Sequence, residues 1–153
     1  MSYVRLAGPE DIRDIALRMR ESDYQEIVAL TWVNGREALA NYLVDLVKQS
    51  PGITLVYGQD RPIAIGCVLL IRPGVASFGF FATDDFKLVM PLLLRSRSRL
   101  VHLARELFPF HRLQTVALAS QSARWITANS GKFESALPGY GRNGEDYNMY
   151  VWR

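Results

Sequence analysis

Three apolar runs separated by short turn sequences limit most strongly what this chain can fold into. Residues 53–57, 63–71 and 75–82 are rich in the β-branched and aromatic residues that favour strands. The segments between them, GQDRP and RPG, hold the residues that favour turns. Strands joined by turns this short pair antiparallel, so residues 53–82 are predicted to form a three-stranded antiparallel meander.

Helix and strand patterns surround this meander. A strand at Tyr3–Ala7 precedes Pro9, which opens a helix, and a second helix is predicted over Arg36–Lys48, whereas residues 23–35 show no clear periodicity. The later predicted elements are a helix from Pro91 to about Phe108, a strand at Leu113–Ala119, a helix at Ser122–Ser130 and a strand within Glu145–Trp152. At 153 residues the chain is predicted to be one domain, 1–153, of the α/β (α+β mixed) class, with helices flanking a mixed, mostly antiparallel sheet.

Several function classes receive no support from the composition. The lone Cys67 lies in an apolar run, which favours burial, and with His102 and His111 it gives no metal-ligand spacing. No apolar run is long enough to span a bilayer, and the first residues lack the order of a signal peptide. We therefore expect no metal, no membrane segment and no secretion.

Positive charge is concentrated in one segment. The chain carries a net charge of +3, and 15 of its 18 basic residues are arginine. Most of the excess lies in residues 87–112. On a helix Arg95 and Arg99 share a face and Arg97 points nearly opposite, with Arg105 further along. This surface is predicted either to be simply solvated or to dock an acidic partner or nucleic acid.

The C-terminal strand YNMYVW is aromatic. Strand alternation places some of these side chains on the sheet and others on the opposite face. Tyr147 and Tyr150 are therefore candidate contact residues for a protein partner. A homo-oligomer is compatible with such a surface.

The element order and two segments, RLAGPEDIRDIALRMR at 5–20 and ARWITANSGKF at 123–133, resemble the GNAT acyltransferase superfamily. At finer grain the chain is similar to GNAT-like proteins of short-tailed bacteriophages, which are described as acetyltransferases or as internal virion proteins. That similarity lies in four stretches: DIRDIALRMRESDYQEIVAL, LLLRSRSRLVHLA, SARWITANSGKF and PGYGRNGEDYNMYVW.

The resemblance implies where acetyl-CoA would bind. GNAT enzymes hold its pyrophosphate on a glycine-containing loop between the fourth strand and the third helix, here residues 83–90 (TDDFKLVM). That loop has no glycine, and none occurs between Gly79 and Gly131. Asp84 and Asp85 would repel a pyrophosphate. We therefore expect no bound cofactor.

No catalytic residue is predicted either. Many GNAT enzymes use a tyrosine on the late helix as general acid, and the corresponding residue here is Thr127, which is too weak an acid. Glu26, Glu37 and Glu134 are available as general bases. Nothing in the sequence places them beside a substrate, and isolated glutamates are usually solvated.

Three functions follow as hypotheses. The first is a virion-associated or assembly protein acting through contacts with other virion or phage assembly proteins, in the virion or the host cytoplasm, as the resemblance implies. The alternative is an N-acetyltransferase with a divergent acetyl-CoA site. The third is nucleic-acid binding through residues 87–112.

Overall fold

The computed structural model describes residues 1–121 and 123–152. The helices are α1 Pro9–Arg18, α2 Glu21–Val28, α3 Arg36–Gln49, α4 Met90–Leu107 and α5 Arg124–Ala128. The strands are β1 Tyr3–Leu6, β2 Gly52–Gly58, β3 Pro62–Arg72, β4 Gly74–Ala82, β5 Phe110–Leu118, β6 Lys132–Leu137 and β7 Tyr147–Trp152. A 3₁₀ helix, Asp84–Leu88, joins β4 to α4 and is called the acidic turn below.

The strands form one seven-stranded sheet in the order β1-β2-β3-β4-β5-β7-β6. Every neighbouring pair is antiparallel except β4 and β5, which are parallel because α4 crosses over between them. The predicted α+β fold class and the predicted meander of β2, β3 and β4 are therefore confirmed.

Helices cover both faces of the sheet. On one face α1 and α3 pack Ile15 and Leu39 against Ile65 of β3. On the other face α4 packs Leu100 against Leu113 of β5. Apolar residues alternate along the strands and recur every three or four positions on the helices, so each element contributes side chains to these two core layers.

Two elements were not predicted. The helix α2 was missed because few of its residues are buried apolar side chains, so it lacks the periodic apolar stripe that identifies a helix. The strand β6 was missed because it is an edge strand whose residues are all exposed or half-buried. The predicted late helix is shorter than expected, and its predicted first residue, Ser122, lies outside the described residues.

Three further expectations concern the burial of Cys67, membrane-spanning helices and metal sites. Cys67 is buried, as predicted. Within residues 1–121 and 123–152 no helix has the length and hydropathy needed to cross a bilayer. The same ranges hold no cluster of three or more His, Cys, Asp and Glu side chains arranged for a metal ion.

The loop between β6 and β7 holds the connection between α2 and α3 in place. The backbone N–H of Arg142 donates to the C=O of Ala29 at 2.8 Å. Its guanidinium donates to the C=O groups of Thr31 and Val33, at 3.1 and 2.7 Å, and to Oδ1 of Asn34 at 2.7 Å. One side chain therefore satisfies three acceptors of a connection that has no regular structure of its own.

We predict that Arg142→Ala lowers the free energy of unfolding by about 1–2 kcal/mol, because charged hydrogen bonds are lost. Urea denaturation measures this change. Arg72→Ala, which removes an exposed arginine at the end of β3, is the control and should change stability by less than about 0.5 kcal/mol. Equal losses of unfolding free energy in both variants would show that the hydrogen bonds of Arg142 do not add to stability.

Candidate functional site

The sheet opens between β4 and β5, and this gap is the centre of the candidate site. The two strands pair only where Gly74–Ser77 meets Phe110–Gln114, and both continue past these residues without pairing. The Thr115 hydroxyl donates to the C=O of Phe78 at 2.8 Å, where the strands part. Beyond this point the facing backbone groups lack the partners that a continuous sheet would provide.

A carboxylate of α2 replaces the missing partner on β4. The N–H of Thr83 donates to the C=O of Ile63 at 2.9 Å, so strand alternation turns the N–H of Ala82 away from β3 and towards the gap. There Ala82 donates to Oδ2 of Asp23 at 2.8 Å. The buried N–H is thereby satisfied, which avoids the cost of leaving it without a partner.

A second carboxylate of α2, that of Glu26, accepts from a backbone N–H of β5 in the same way. The N–H of Ala119 donates to the C=O of Asp146 at 2.9 Å, which turns the N–H of Leu118 towards the gap. Leu118 donates to Oε2 of Glu26 at 2.9 Å. Asp23 and Glu26 therefore fix α2 to both sides of the gap.

Glu26 is half-buried, contrary to the expectation of a solvated carboxylate. Burial raises its pKa to about 7, and the nearby Asp23 carboxylate adds to that rise. The Leu118 N–H and the Arg20 guanidinium act in the opposite direction. None of the ion pairs formed among the described residues includes Glu26. A carboxylate with this pKa can accept a proton near neutral pH.

The other two glutamates considered from sequence lie elsewhere. Glu37 is exposed on α3 and pairs with Arg13 at 2.6 Å. Glu134 on β6 is half-buried and accepts from the Arg112 guanidinium. The structure therefore places neither of them at the gap.

A cavity of about 480 Å³ opens on the α3 side of the gap and is called the α3 cavity. Apolar residues form most of its wall, and Glu26 is among its lining residues. On the opposite face a cavity of about 390 Å³, the α4 cavity, lies between α4, the sheet and the turn Asn129–Ser130 that follows α5. Phe78 and Phe80 line both cavities, so the two meet at β4 beside the gap.

Aromatic rings pack beside the gap. The Trp125 ring of α5 lies 5.6 Å from the Phe78 ring and 4.9 Å from the Phe80 ring, centroid to centroid. Trp152 lies 5.5 Å from Phe78, and Phe86 of the acidic turn lies 5.4 Å from Phe80. These contacts tie α5 and β7 to β4, where direct strand pairing is absent.

The four predicted basic residues of α4 differ in their exposure and contacts. Arg97 is half-buried, and its Nη1 donates to the C=O of Ala128 at the end of α5 at 2.9 Å. The other members are exposed, namely Arg95, Arg99 and Arg105. Arg97 thus bridges two helices at the α4 cavity, and docking of an acidic partner on the exposed arginines stays a prediction.

The aromatic strand does not expose the tyrosines that were predicted to form a contact surface. Tyr147 is fully buried, and its hydroxyl donates to the C=O of Glu26. Tyr150 is 8% exposed and packs with Ala117 and Ile126. Both lie at positions where β7, between β5 and β6, is covered, so they pack in the core instead of facing a partner.

Comparison with known proteins identifies the fold of this chain. No family model matches the sequence, and no curated protein matches it. The ribosomal-protein-alanine N-acetyltransferase from Brucella melitensis superposes with a TM-score of 0.70 at 14% identity, over 98% of each chain. This chain has the GNAT acetyltransferase fold.

Further structures agree on the GNAT fold. An acetyltransferase of the GNAT family from Streptococcus pneumoniae matches with a TM-score of 0.66 at 13% identity, over 99% of this chain and 98% of that one. Ard1 from Thermoplasma volcanium matches with a TM-score of 0.68 at 15% identity, over 99% and 96%. At such identities the likeness establishes the fold alone, and function depends on the site.

The acidic turn occupies the segment where the resemblance expects the diphosphate of acetyl-CoA. Its helical geometry uses its own donors, since Phe86 N–H bonds the C=O of Thr83 and Val89 N–H bonds the C=O of Phe86, both at 3.1 Å. It has no glycine, it exposes two aspartates, and Pro91 in the first turn of α4 lacks an N–H. This segment thus carries two exposed aspartates together with Lys87, and the Asp85 carboxylate pairs with the Arg61 guanidinium at 3.6 Å.

Sequence reasoning missed the role of Glu26. The available signal was its spacing from Asp23, because side chains three positions apart share one face of a helix. That signal required α2 to be recognised as a helix. The partners, Ala82 and Leu118, lie far away in the chain and could not be read from a local pattern.

We predict that Glu26 makes the protein less stable as pH rises from about 4.5 to 7. Its pKa is higher in the folded chain than the ordinary value of 4.5, so the folded state binds more protons in this range. Glu26→Gln keeps an acceptor for Leu118 and should flatten this decline, as measured by thermal unfolding at several pH values. A decline as steep as that of the wild type would contradict the assignment, and Glu37→Gln is the matched control.

We predict that Arg97→Ala lowers the free energy of unfolding by about 1 kcal/mol, because the bond to the C=O of Ala128 is lost. Arg99→Ala, two positions along the same helix and exposed, should change it by less than about 0.5 kcal/mol. Chemical denaturation of both variants makes the comparison. A larger loss in Arg99→Ala would overturn the distinction between the two arginines.

Proposed function

We propose that this chain uses the GNAT fold as a binding scaffold and does not transfer acyl groups from acetyl-CoA. The observation that carries the proposal is the acidic turn, which stands where the fold is expected to hold a diphosphate. Asp84 and Asp85 are exposed there, and their negative charge, which Arg61 offsets in part at Asp85, disfavours binding of a diphosphate. A role in virion assembly through protein contacts agrees with this proposal and with the sequence resemblance that suggested it.

Acyl transfer from acetyl-CoA to an amine is the second candidate function. The matched structures favour it, since those compared above are acetyltransferases or share their fold. Two cavities that meet at a gap in the sheet also suit a donor on one face and an acceptor on the other. Glu26 could then take the proton that an attacking amine must lose.

Calorimetric titration with acetyl-CoA and with free CoA distinguishes the two candidates. We expect no saturable binding at ligand concentrations up to about 1 mM, because the acidic turn offers no phosphate cradle. Saturable one-to-one binding would overturn the proposal and favour the acyltransferase.

If CoA does not bind, a double variant distinguishes charge repulsion from closed backbone geometry as the reason. The double substitution Asp84→Ser with Asp85→Ser removes the two exposed carboxylates of the acidic turn. If charge repulsion alone prevents binding, this variant should bind CoA weakly. If the backbone geometry is also closed, it should not bind.

A further inference from the structure

The chain has two Asn–Gly pairs, at residues 34–35 in the connection between α2 and α3 and at residues 143–144 in the loop between β6 and β7. Glycine has no Cβ, so its backbone nitrogen approaches the side chain of a preceding asparagine with little hindrance. Attack of that nitrogen on the asparagine Cγ releases ammonia and closes a succinimide ring. Water then opens the ring to aspartate or isoaspartate, so each pair is a candidate site of self-modification.

The two pairs are alike in their exposure and in the conformation of their glycines. Both asparagines and both glycines are exposed. The φ angle is +85° at Gly35 and +89° at Gly144, and a Cβ built on either glycine would meet no atom within 4 Å beyond its chain neighbours. Because access and local space are matched, a difference in reactivity is expected to come from the groups that contact the reacting atoms.

Arg142 contacts the oxygen of Asn34 on which negative charge develops during the attack. Its Nη2 donates to Oδ1 of Asn34 at 2.7 Å, and its Nη1 bonds to the C=O groups of Thr31 and Val33 hold the guanidinium there. When the Gly35 nitrogen attacks Cγ, this oxygen becomes an oxyanion. A cation already in place stabilises the oxyanion more than the neutral amide, as the donors of an oxyanion hole do.

The attacking nitrogen of Gly35 contacts a group that can carry its proton away. The Gly35 N–H donates to the Tyr24 hydroxyl at 3.0 Å. A hydroxyl both accepts and donates, so it can take the proton of the attacking nitrogen and pass its own proton to water. The Tyr24 hydroxyl donates to none of the described residues, which leaves its hydrogen available for this transfer.

The reacting atoms of the second pair have different partners. Among residues 1–121 and 123–152 no donor contacts Oδ1 of Asn143, and its Nδ2 donates to Oε1 of Glu145 at 3.3 Å. The negative charge of Glu145 opposes an oxyanion at this position. The N–H of Gly144 donates to the C=O of Gly141 at 2.9 Å, and a carbonyl oxygen has no proton of its own to pass on.

We propose that the folded chain modifies Asn34 in this way and that Asn143 reacts far more slowly. The bond from the Gly35 nitrogen to Cγ forms, the Cγ–Nδ2 bond breaks, and the Gly35 proton passes through Tyr24 and water to the departing ammonia. Water is the co-reactant that opens the ring. An aspartate formed at position 34 faces the Arg142 guanidinium, so a hydrogen bond between the two loops becomes an ion pair. The inference goes beyond the proposed scaffold function.

Peptide-mapping mass spectrometry follows both pairs in one sample, because exchange of NH₂ for OH changes the mass of the peptide. The full chain is incubated at neutral pH, once folded and once unfolded in guanidinium chloride. In the folded chain we expect Asn34 to react at least about fivefold faster than Asn143, and in the unfolded chain we expect similar rates. Isoaspartate among the products shows that the ring was formed.

Two variants test the contacts, with the rate at Asn34 measured relative to that at Asn143 in the same sample. Arg142→Ala should lower this ratio about tenfold, because the oxyanion loses its cation. Tyr24→Phe should lower it at least about threefold, because the proton acceptor is lost. If these contacts only restrained Asn34, both variants would instead react faster. Tyr42→Phe, which changes a partly exposed tyrosine of α3, is the matched control and should leave the ratio unchanged.

Three results would overturn the proposal. They are equal rates at the two asparagines in the folded chain, an unchanged or higher ratio in folded Arg142→Ala and Tyr24→Phe variants, or a product at position 34 without isoaspartate. Circular dichroism establishes that each variant is folded. Acetyl-CoA takes no part in these measurements, so the proposed scaffold function can fail without affecting their outcome.

Discussion

The divergence of β4 and β5 is the constraint on which the rest of this structure depends. Once parallel pairing stops after Ser77 and Gln114, buried backbone groups on both strands need other partners. The side chains of Asp23 and Glu26 provide them for Ala82 and Leu118. The short helix α2 is therefore joined to the sheet by hydrogen bonds as well as by the core contacts of Tyr24, Ile27 and Val28.

The same divergence creates the candidate site. It brings two cavities on opposite faces of the sheet to a common boundary at Phe78 and Phe80. Trp125 of α5, which packs on Phe78 and Phe80, lines the α3 cavity, whereas Arg97, which bonds the C=O of Ala128 at the end of α5, lines the α4 cavity. On the α3 side, small residues leave space, and a half-buried carboxylate faces it. The two sides thus differ in charge, because Arg97 and Arg105 line the α4 cavity and Glu26 is the charged residue of the α3 cavity among the described residues.

The GNAT fold by itself does not fix the activity of this chain. The fold follows from the sheet order, the single parallel pair and the crossover helix, and structures at 13–15% identity share it. In the turn where the resemblance expects the diphosphate of acetyl-CoA, the N–H groups of Phe86 and Val89 are bonded within the turn, and two aspartates are exposed. The local chemistry of this turn favours a scaffold, whereas the shared architecture favours an enzyme.

The sequence by itself determined the meander, the crossover helix α4 and the α+β class, because alternation and helical periodicity are local patterns set by which side chains enter the core. It also indicated that the turn before α4 lacks glycine. Only the tertiary structure decided that Glu26 is half-buried, that Tyr147 and Tyr150 are internal and that Arg97 contacts α5 while Arg99 is exposed. The physical reason is that these properties depend on partners distant in the chain: a carboxylate's pKa and a tyrosine's exposure are set by the residues that fold against them, and no local spacing encodes that contact.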